Sequence, residues 1–169
     1  MPGPGSGARS PCASTELGAH LALSDIDEKS VEETAKICAG HGRDIWATRL
    51  DVTEREAVIA YAHDVRAYFG TVHQVYNNAG IAYYGEVERQ SYKEVERVLD
   101  VNFWGTVYTT TSFLPYLIAS RDGHVVNVSS LFGLITYPGR APTVPRSSPS
   151  AASPRRCGRR CCWPGTRCV

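Results

Sequence analysis

The chain has 169 residues, 43% of them hydrophobic and 21% charged, which suits one ordinary soluble domain and argues against wholesale disorder. No stretch approaches the ~20 consecutive apolar residues of a membrane-spanning helix, and no basic region followed by an apolar core opens the chain, so a cytoplasmic location is the default expectation. The formal charge of +1 averages unlike segments: residues 17–138 carry ten Lys/Arg against sixteen Asp/Glu, whereas residues 139–169 carry seven Arg and no acid. All Pro except Pro115 and all Cys except Cys38 lie outside residues 17–137. Three segments are therefore expected. Residues 1–16 form a degenerate Gly/Pro-rich N-terminus, 17–139 an ordered domain, and 140–169 an Arg/Pro/Ser/Cys-rich tail expected to be disordered. Cys157, Cys161, Cys162 and Cys168 lack paired C-x-x-C spacing and a nearby His, so no metal site is expected.

Order begins at Gly18. Ala19–Leu23 is a short apolar run with the length of a buried strand. Asp27 can N-cap a helix over Glu28–Ala39, with acids in its first turn and Gly40 and Gly42 as stops. Ile45–Leu50 reads as a second strand. Thr53 with Glu56 has the spacing of a capping box, followed by a helical pattern to Phe69 that Gly70 ends. Val72–Tyr76 is a third strand. Ser91 with Glu94 is a second capping box, opening a long helical stretch through Val98, Val101 and Val107 toward Ile118, with Pro115 bending it or marking its last turns. Val125–Val128 is a fourth strand.

Strands alternating with helices of about a dozen residues predict βαβ units and a mostly parallel sheet. Right-handed crossovers put all strand C-terminal ends on one edge, where ligands of such sheets bind. The residues falling there are Ser24-Asp25, Asp51-Val52, Asn77-Asn78-Ala79-Gly80 and Ser129-Ser130. All but Val52 are small or polar, as a nucleotide-lined edge requires.

With these residues in order, the chain resembles the short-chain dehydrogenase/reductase family over about residues 18–139. Asn77-Asn78-Ala79-Gly80 matches the family's N-N-A-G motif, and Asp51-Val52 its adenine contact. Asp100-Val101-Asn102 is similar to the V-N of its long helix, and Asn127-Val128-Ser129-Ser130 to the N-x-S-S ending its fifth strand. The resemblance implies a Rossmann-like doubly wound fold and an NAD(P)-dependent oxidoreductase interconverting a hydroxyl and a carbonyl in a small molecule. It also implies that family members pair as homo-oligomers. Asp25 would accept both ribose hydroxyls and repel a 2′-phosphate, which predicts NAD over NADP. Asp51 would accept from the adenine amino group. Asn78, Ala79 and Gly80 would bring backbone against the cofactor. Asn102, a poor helix former in a helical stretch, would hold a water in a proton relay. Ser130 would hydrogen-bond the substrate oxygen.

The chain departs from the family at both ends. The general acid/base Tyr expected thirteen residues after Ser130 is replaced by Thr143, and the Lys four residues further on by Ser147; no Lys follows Lys93. Without that Lys no neighbouring cation lowers a Tyr pKa toward neutrality. Gly3, Gly5 and Gly7 can be laid against the family's pyrophosphate loop, with Gly3 and Gly7 as candidate cofactor contacts, but Arg9 falls where the last Gly belongs and no apolar strand precedes them. Because that first strand is central in the 3-2-1-4-5-6 order, its absence predicts a gap in mid-sheet.

Codons allowed for Ala141–Pro149 contain, in a shifted frame, Ala-Tyr-Ser-Ala-Ser-Lys-Phe-Ala, the missing Tyr-x-x-x-Lys. Codons for Pro2–Ser14 likewise allow a Gly-rich loop. Frame-shifted ends are thus the preferred explanation of the asymmetry. Two alternatives to an active oxidoreductase stand beside it: a non-catalytic nucleotide-binding remnant, and an Arg-rich tail that contacts nucleic acid. A shifted frame accounts for the Arg without function, so no nucleic-acid partner is expected.

Overall fold

A computed structural model of the chain describes residues 13–83 and 87–129. A helical turn over residues 13–16 passes through Gly18, at φ 96°, into strand β1 (Leu21–Asp25). The strand starts two residues after the expected Ala19 because the ladder begins at Leu21, whose N–H donates to the Asp44 carbonyl at 3.0 Å. One residue earlier, the His20 ring takes over and accepts the Asp44 N–H at 3.1 Å. Asp27 caps helix α1 (Glu28–Cys38), accepting the Lys29 N–H at 3.1 Å and the Ser30 hydroxyl at 2.7 Å. That hydroxyl holds the Asp27 carboxyl below its usual range.

Strand β2 (Ile45–Arg49) leads to helix α2 (Arg55–Phe69), which ends on Gly70 at φ 75°. The capping box expected from Thr53 and Glu56 is not formed. Glu54 occupies the cap position without a side-chain bond, because the Thr53 hydroxyl and N–H both donate to Asp51 Oδ1, at 2.8 and 2.9 Å. Asp51 thus takes the Thr53 N–H that Glu56 would have accepted, and Glu56 Oε1 accepts from the Arg55 guanidinium instead.

Strand β3 (Gln74–Asn77) is followed by a 3₁₀ turn at Val87–Arg89 and helix α3 (Tyr92–Leu99). Here the expected box forms: Ser91 Oγ accepts the Glu94 N–H at 3.3 Å, and the Ser91 N–H donates to Glu94 Oε2 at 2.8 Å. The expected continuous helix is interrupted. A π-helical segment, Asp100–Trp104, separates α3 from helix α4 (Gly105–Ser120), which holds Pro115 inside it. Strand β4 (His124–Asn127) closes the described part.

β1 pairs parallel with β2 in the register Leu21↔Ile45, and β3 parallel with β4 in the register Gln74↔His124. The two pairs are separate sheets among the described residues. Among the described residues the doubly wound sheet is therefore present as two halves, β1–β2 and β3–β4.

One core spans both halves. Val58, Tyr61, Ala62 and Val65 of α2 meet Phe113 and Leu117 of α4, with Leu50 from one half and Val72 and Val75 from the other. Tyr61 bridges Trp46 and Phe113, at ring-centroid distances of 5.9 and 6.0 Å. Each Val, Leu or Phe side chain buried here contributes roughly 1.5–3 kcal/mol. Ala22 and Trp46 face this cluster, so α1, which packs on β1 and β2 through a separate buried pair (Val31 and Cys38), holds the opposite face. Among the described residues, no helix is long and apolar enough to cross a membrane and no His/Cys/Asp/Glu group is arranged to hold a metal.

Candidate functional site

The site is assembled where β1, β2 and β3 end. Asp25 is the last residue of β1 rather than a residue beyond it, and its backbone carbonyl accepts the Leu50 N–H at 2.9 Å. That bond sets Asp25 beside Asp51. The exposed Asp25 carboxylate uses Oδ1 to accept the Asp27 N–H at 3.0 Å, which fixes its direction at the strand end. Asp51 is half-buried and fixed in the same way by Thr53.

Val52 carries the link between halves. A Cβ added to Gly105 would stand 2.7 Å from Val52 Cγ2, so glycine at 105 is what lets the start of α4 lie against the end of β2. One turn earlier, in the π segment, Asn102 reaches the β3 side. Its Oδ1 accepts the Ile81 N–H at 2.8 Å, and its Nδ2 donates to the Ile81 carbonyl at 2.9 Å. A two-point amide clamp thus ties the loop after β3 to the helix. This commits the Asn102 side chain to Ile81, a structural duty that the expected proton-relay role did not anticipate. Helical residues of this kind at π segments are frequent at functional sites, because the wider turn re-aims main-chain groups.

Asn78, Ala79 and Gly80 are exposed. Gly80 does not adopt positive φ, so the tight turn expected there does not need glycine's left-handed freedom. The nearest described atom a Gly80 Cβ would meet is Asn102 Oδ1, at 3.5 Å. What glycine supplies is an open backbone surface.

Below this loop lies a brace that sequence reasoning missed. Asn77 is 8% exposed, and its Nδ2 donates to Thr110 Oγ1 at 2.9 Å and to Asn127 Oδ1 at 2.7 Å. One amide joins β3, β4 and α4. The available signal was the two Asn ending parallel strands, which prove to be register partners; nothing singled out Thr110. Ser130, Gly3 and Gly7, with Thr143 and Ser147, lie outside the described residues.

Two parallel pairs, helices on both faces of one of them, and polar groups gathered at the strand ends define a Rossmann-like nucleotide-binding architecture. A family model described as short chain dehydrogenase matches residues 5–142, and the chain belongs to that family. It is similar to SadH of Mycobacterium tuberculosis (strain ATCC 25618 / H37Rv), 55% identical over 127 residues that cover 75% of this chain and 46% of SadH. It is also similar to a short chain dehydrogenase/reductase from Burkholderia phymatum solved in complex with NAD, at 28% identity and TM-score 0.74, covering 80% of this chain and 50% of that one. An alcohol dehydrogenase from Thermococcus sibiricus complexed with 5-hydroxy-NADP matches at 25% identity and TM-score 0.74, covering 81% and 58%. The chain spans about half the length of the curated relatives it matches.

Proposed function

We propose that this chain carries the cofactor-binding part of an NAD(P)-dependent oxidoreductase that interconverts a hydroxyl and a carbonyl in a small-molecule substrate. The observation that carries this reading is the gathering of Asp25, Asp51, Asn78–Gly80 and Asn102 at one edge, locked together through Val52–Gly105 and Asn102–Ile81. The donor set fits a dinucleotide. Two carboxylates can accept from ribose hydroxyls and the adenine amino group, and the exposed backbone of Asn78–Gly80 leaves room for a ring to approach. A nicotinamide bound there supplies hydride transfer, and the protein supplies placement and proton handling.

Asp25 is assigned to the ribose, so NAD is favoured over NADP through repulsion of a 2′-phosphate. Asp51 and Val52 are assigned to the adenine. Gly3 and Gly7 are assigned to the pyrophosphate, Ser130 to the substrate oxygen and Asn102 to proton movement; for Gly3, Gly7 and Ser130 the support is the sequence motif alone. The family leads us to assign a small-molecule alcohol or carbonyl substrate and homo-oligomeric pairing, and the sequence alone is the ground for proposing a cytoplasmic location.

Thr143 and Ser147 favour a second reading for the chain as it stands, a nucleotide-binding remnant without turnover. The proton of a substrate hydroxyl has no Tyr to receive it and no Lys to lower that Tyr's pKa. The family match stops at residue 142, one residue after the stretch with the shifted Tyr-x-x-x-Lys begins. This supports placing the domain boundary near 139 and reading 140–169 as a different frame.

Fluorescence titration tests the binding claim. NADH is expected to bind more tightly than NADPH, and Asp25→Ala to weaken NADH by about tenfold, a loss of about 1.4 kcal/mol, while leaving NADPH less affected. Equal affinity for both dinucleotides removes the role of Asp25; binding of neither removes the proposal. Reduction of NAD by a panel of secondary alcohols would refute the second reading.

A further inference from the structure

The consecutive threonines of α4, Thr109, Thr110 and Thr111, are each used differently. The Thr109 hydroxyl turns back into its own helix and donates to the Gly105 carbonyl at 2.8 Å, the local bond that helical threonines commonly make. Thr111 is exposed. Thr110 reaches another element: its Oγ1 accepts an N–H of Asn77 Nδ2 at 2.9 Å. A primary amide has two such donors, and Asn77 spends the second on Asn127 Oδ1 at 2.7 Å. Asn77 is 8% exposed, so water has little access to replace an acceptor that the amide loses. The Thr110 oxygen therefore sets how the Asn77 amide is turned, and the amide sets where Asn127 stands.

That oxygen is carried on a fixed frame. Before Thr110, α4 lies against Val52 at Gly105; after it, Phe113 and Leu117 sit in the shared core. Asn77 and Asn127 are the last residues of β3 and β4 and are register partners. Beyond them the two segments part, Asn77 leading into Asn78–Gly80 and Asn127 into Val128 and Ser129. The Asn77 carbonyl also accepts the Val128 N–H at 3.0 Å, so the first residue past β4 is tied to the same asparagine. One hydroxyl on α4 thus governs the point from which both segments leave the sheet edge.

We propose that Thr110 is a positioning residue of the cofactor site, acting through the Asn77 amide to hold the Asn78–Gly80 backbone and the Val128–Ser129 segment in place against α4. It touches no cofactor itself. The proposal rests on the assignment of Asn78–Gly80 to the dinucleotide. Asp25 and Asp51 belong to the β1–β2 half, so a ligand that reaches only them does not depend on Thr110.

Two substitutions in the whole chain test this. Thr110→Val keeps the branched shape and removes the acceptor, whereas Thr110→Ser keeps the acceptor. In fluorescence titration, Thr110→Val is expected to weaken NADH by about tenfold, the worth of one hydrogen bond, and Thr110→Ser to restore wild-type affinity. AMP, which carries the adenosine end alone, is expected to bind Thr110→Val as it binds wild type in calorimetric titration; a general loss of stability would weaken both ligands. By NMR, exchange at the Val128 amide should quicken by about tenfold in Thr110→Val, while Val58 and Val65 of α2 keep their protection. Should Thr110→Val not fold, Thr110→Ala carries the same expectations. Unchanged NADH affinity in Thr110→Val, equal weakening of NADH and AMP, or no restoration by Thr110→Ser overturns the role of Thr110 and leaves the cofactor reading standing. A wild-type chain that does not bind NADH overturns both.

Discussion

In the β1–β2 half, α1 lies on one face of the pair and the α2–α4 core on the other, and the strand residues are mostly half-buried. In the β3–β4 half only the core-facing side is covered among the described residues. Tyr76 is 51% exposed, Val126 38% and Val128 58%. Both halves use the same parallel pairing and the same kind of crossover. The difference shows that this architecture derives its stability from the shared α2–α4 layer rather than from the strand pairs, because an isolated two-stranded pair is marginal in water.

The largest effect should come from breaking that shared layer. Phe113→Ala opens a cavity between α2 and α4 and is expected to cost about 3–5 kcal/mol. Both halves should lose exchange protection in a single transition in urea; separate transitions would mean each half stands alone. Tyr61 sharpens the same point through pH. Burial raises its hydroxyl from 10.0 to about 12, with the Ser24 hydroxyl offsetting part of the rise. The raised pKa leaves stability intact below pH 10, and it falls as pH climbs from 10 toward 12 while the unfolded Tyr ionises first, by about 2–3 kcal/mol in all. Tyr61→Phe should flatten that decline in a pH series of urea midpoints.

Two glycines separate the joint from one half. Gly105→Ala drives a methyl into Val52, whose β-branched side chain has little room to rotate, and should cost about 1–3 kcal/mol with loss of protection in both halves. Gly123→Ala meets the Leu117 carbonyl, with Leu117 Cβ at 2.7 Å. It should cost a similar amount but disturb the α4–β4 junction alone. If the two variants show the same exchange map, the joint is not where the halves communicate. The smallest effect is confined to the first half: Asp27→Ala removes the α1 cap and should cost about 1 kcal/mol, read as faster exchange at Lys29 and Ser30.

Much of this was legible in the sequence, for local reasons. Asp27 and the Ser91–Glu94 pair cap their helices as read, because each helix start has one good acceptor and no competitor. Thr53–Glu56 misled because the competing acceptor, Asp51, stands two residues earlier, outside the capping pattern. The two parallel pairs were visible as short apolar runs alternating with helical patterns. The π segment was not, since Asp100–Trp104 has no residue that forces a wider turn; only the pairing of Asn102 with Ile81, twenty-one residues away, makes it worthwhile. The brace around Asn77 depends on register and on Thr110 of another helix, neither of which periodicity reveals.

The π segment also sets a counting rule for the chain. An α-helix turns by about 100° per residue, and an i→i+5 turn takes one residue more to complete the same rotation. Asp100–Trp104 therefore absorbs one residue without changing which side of α4 faces inward. Deleting one residue there would restore ordinary helix and leave Gly105 on Val52, with Phe113 and Leu117 in the core. Winding the segment as α-helix at its present length would instead turn all sixteen residues of α4 away from their partners.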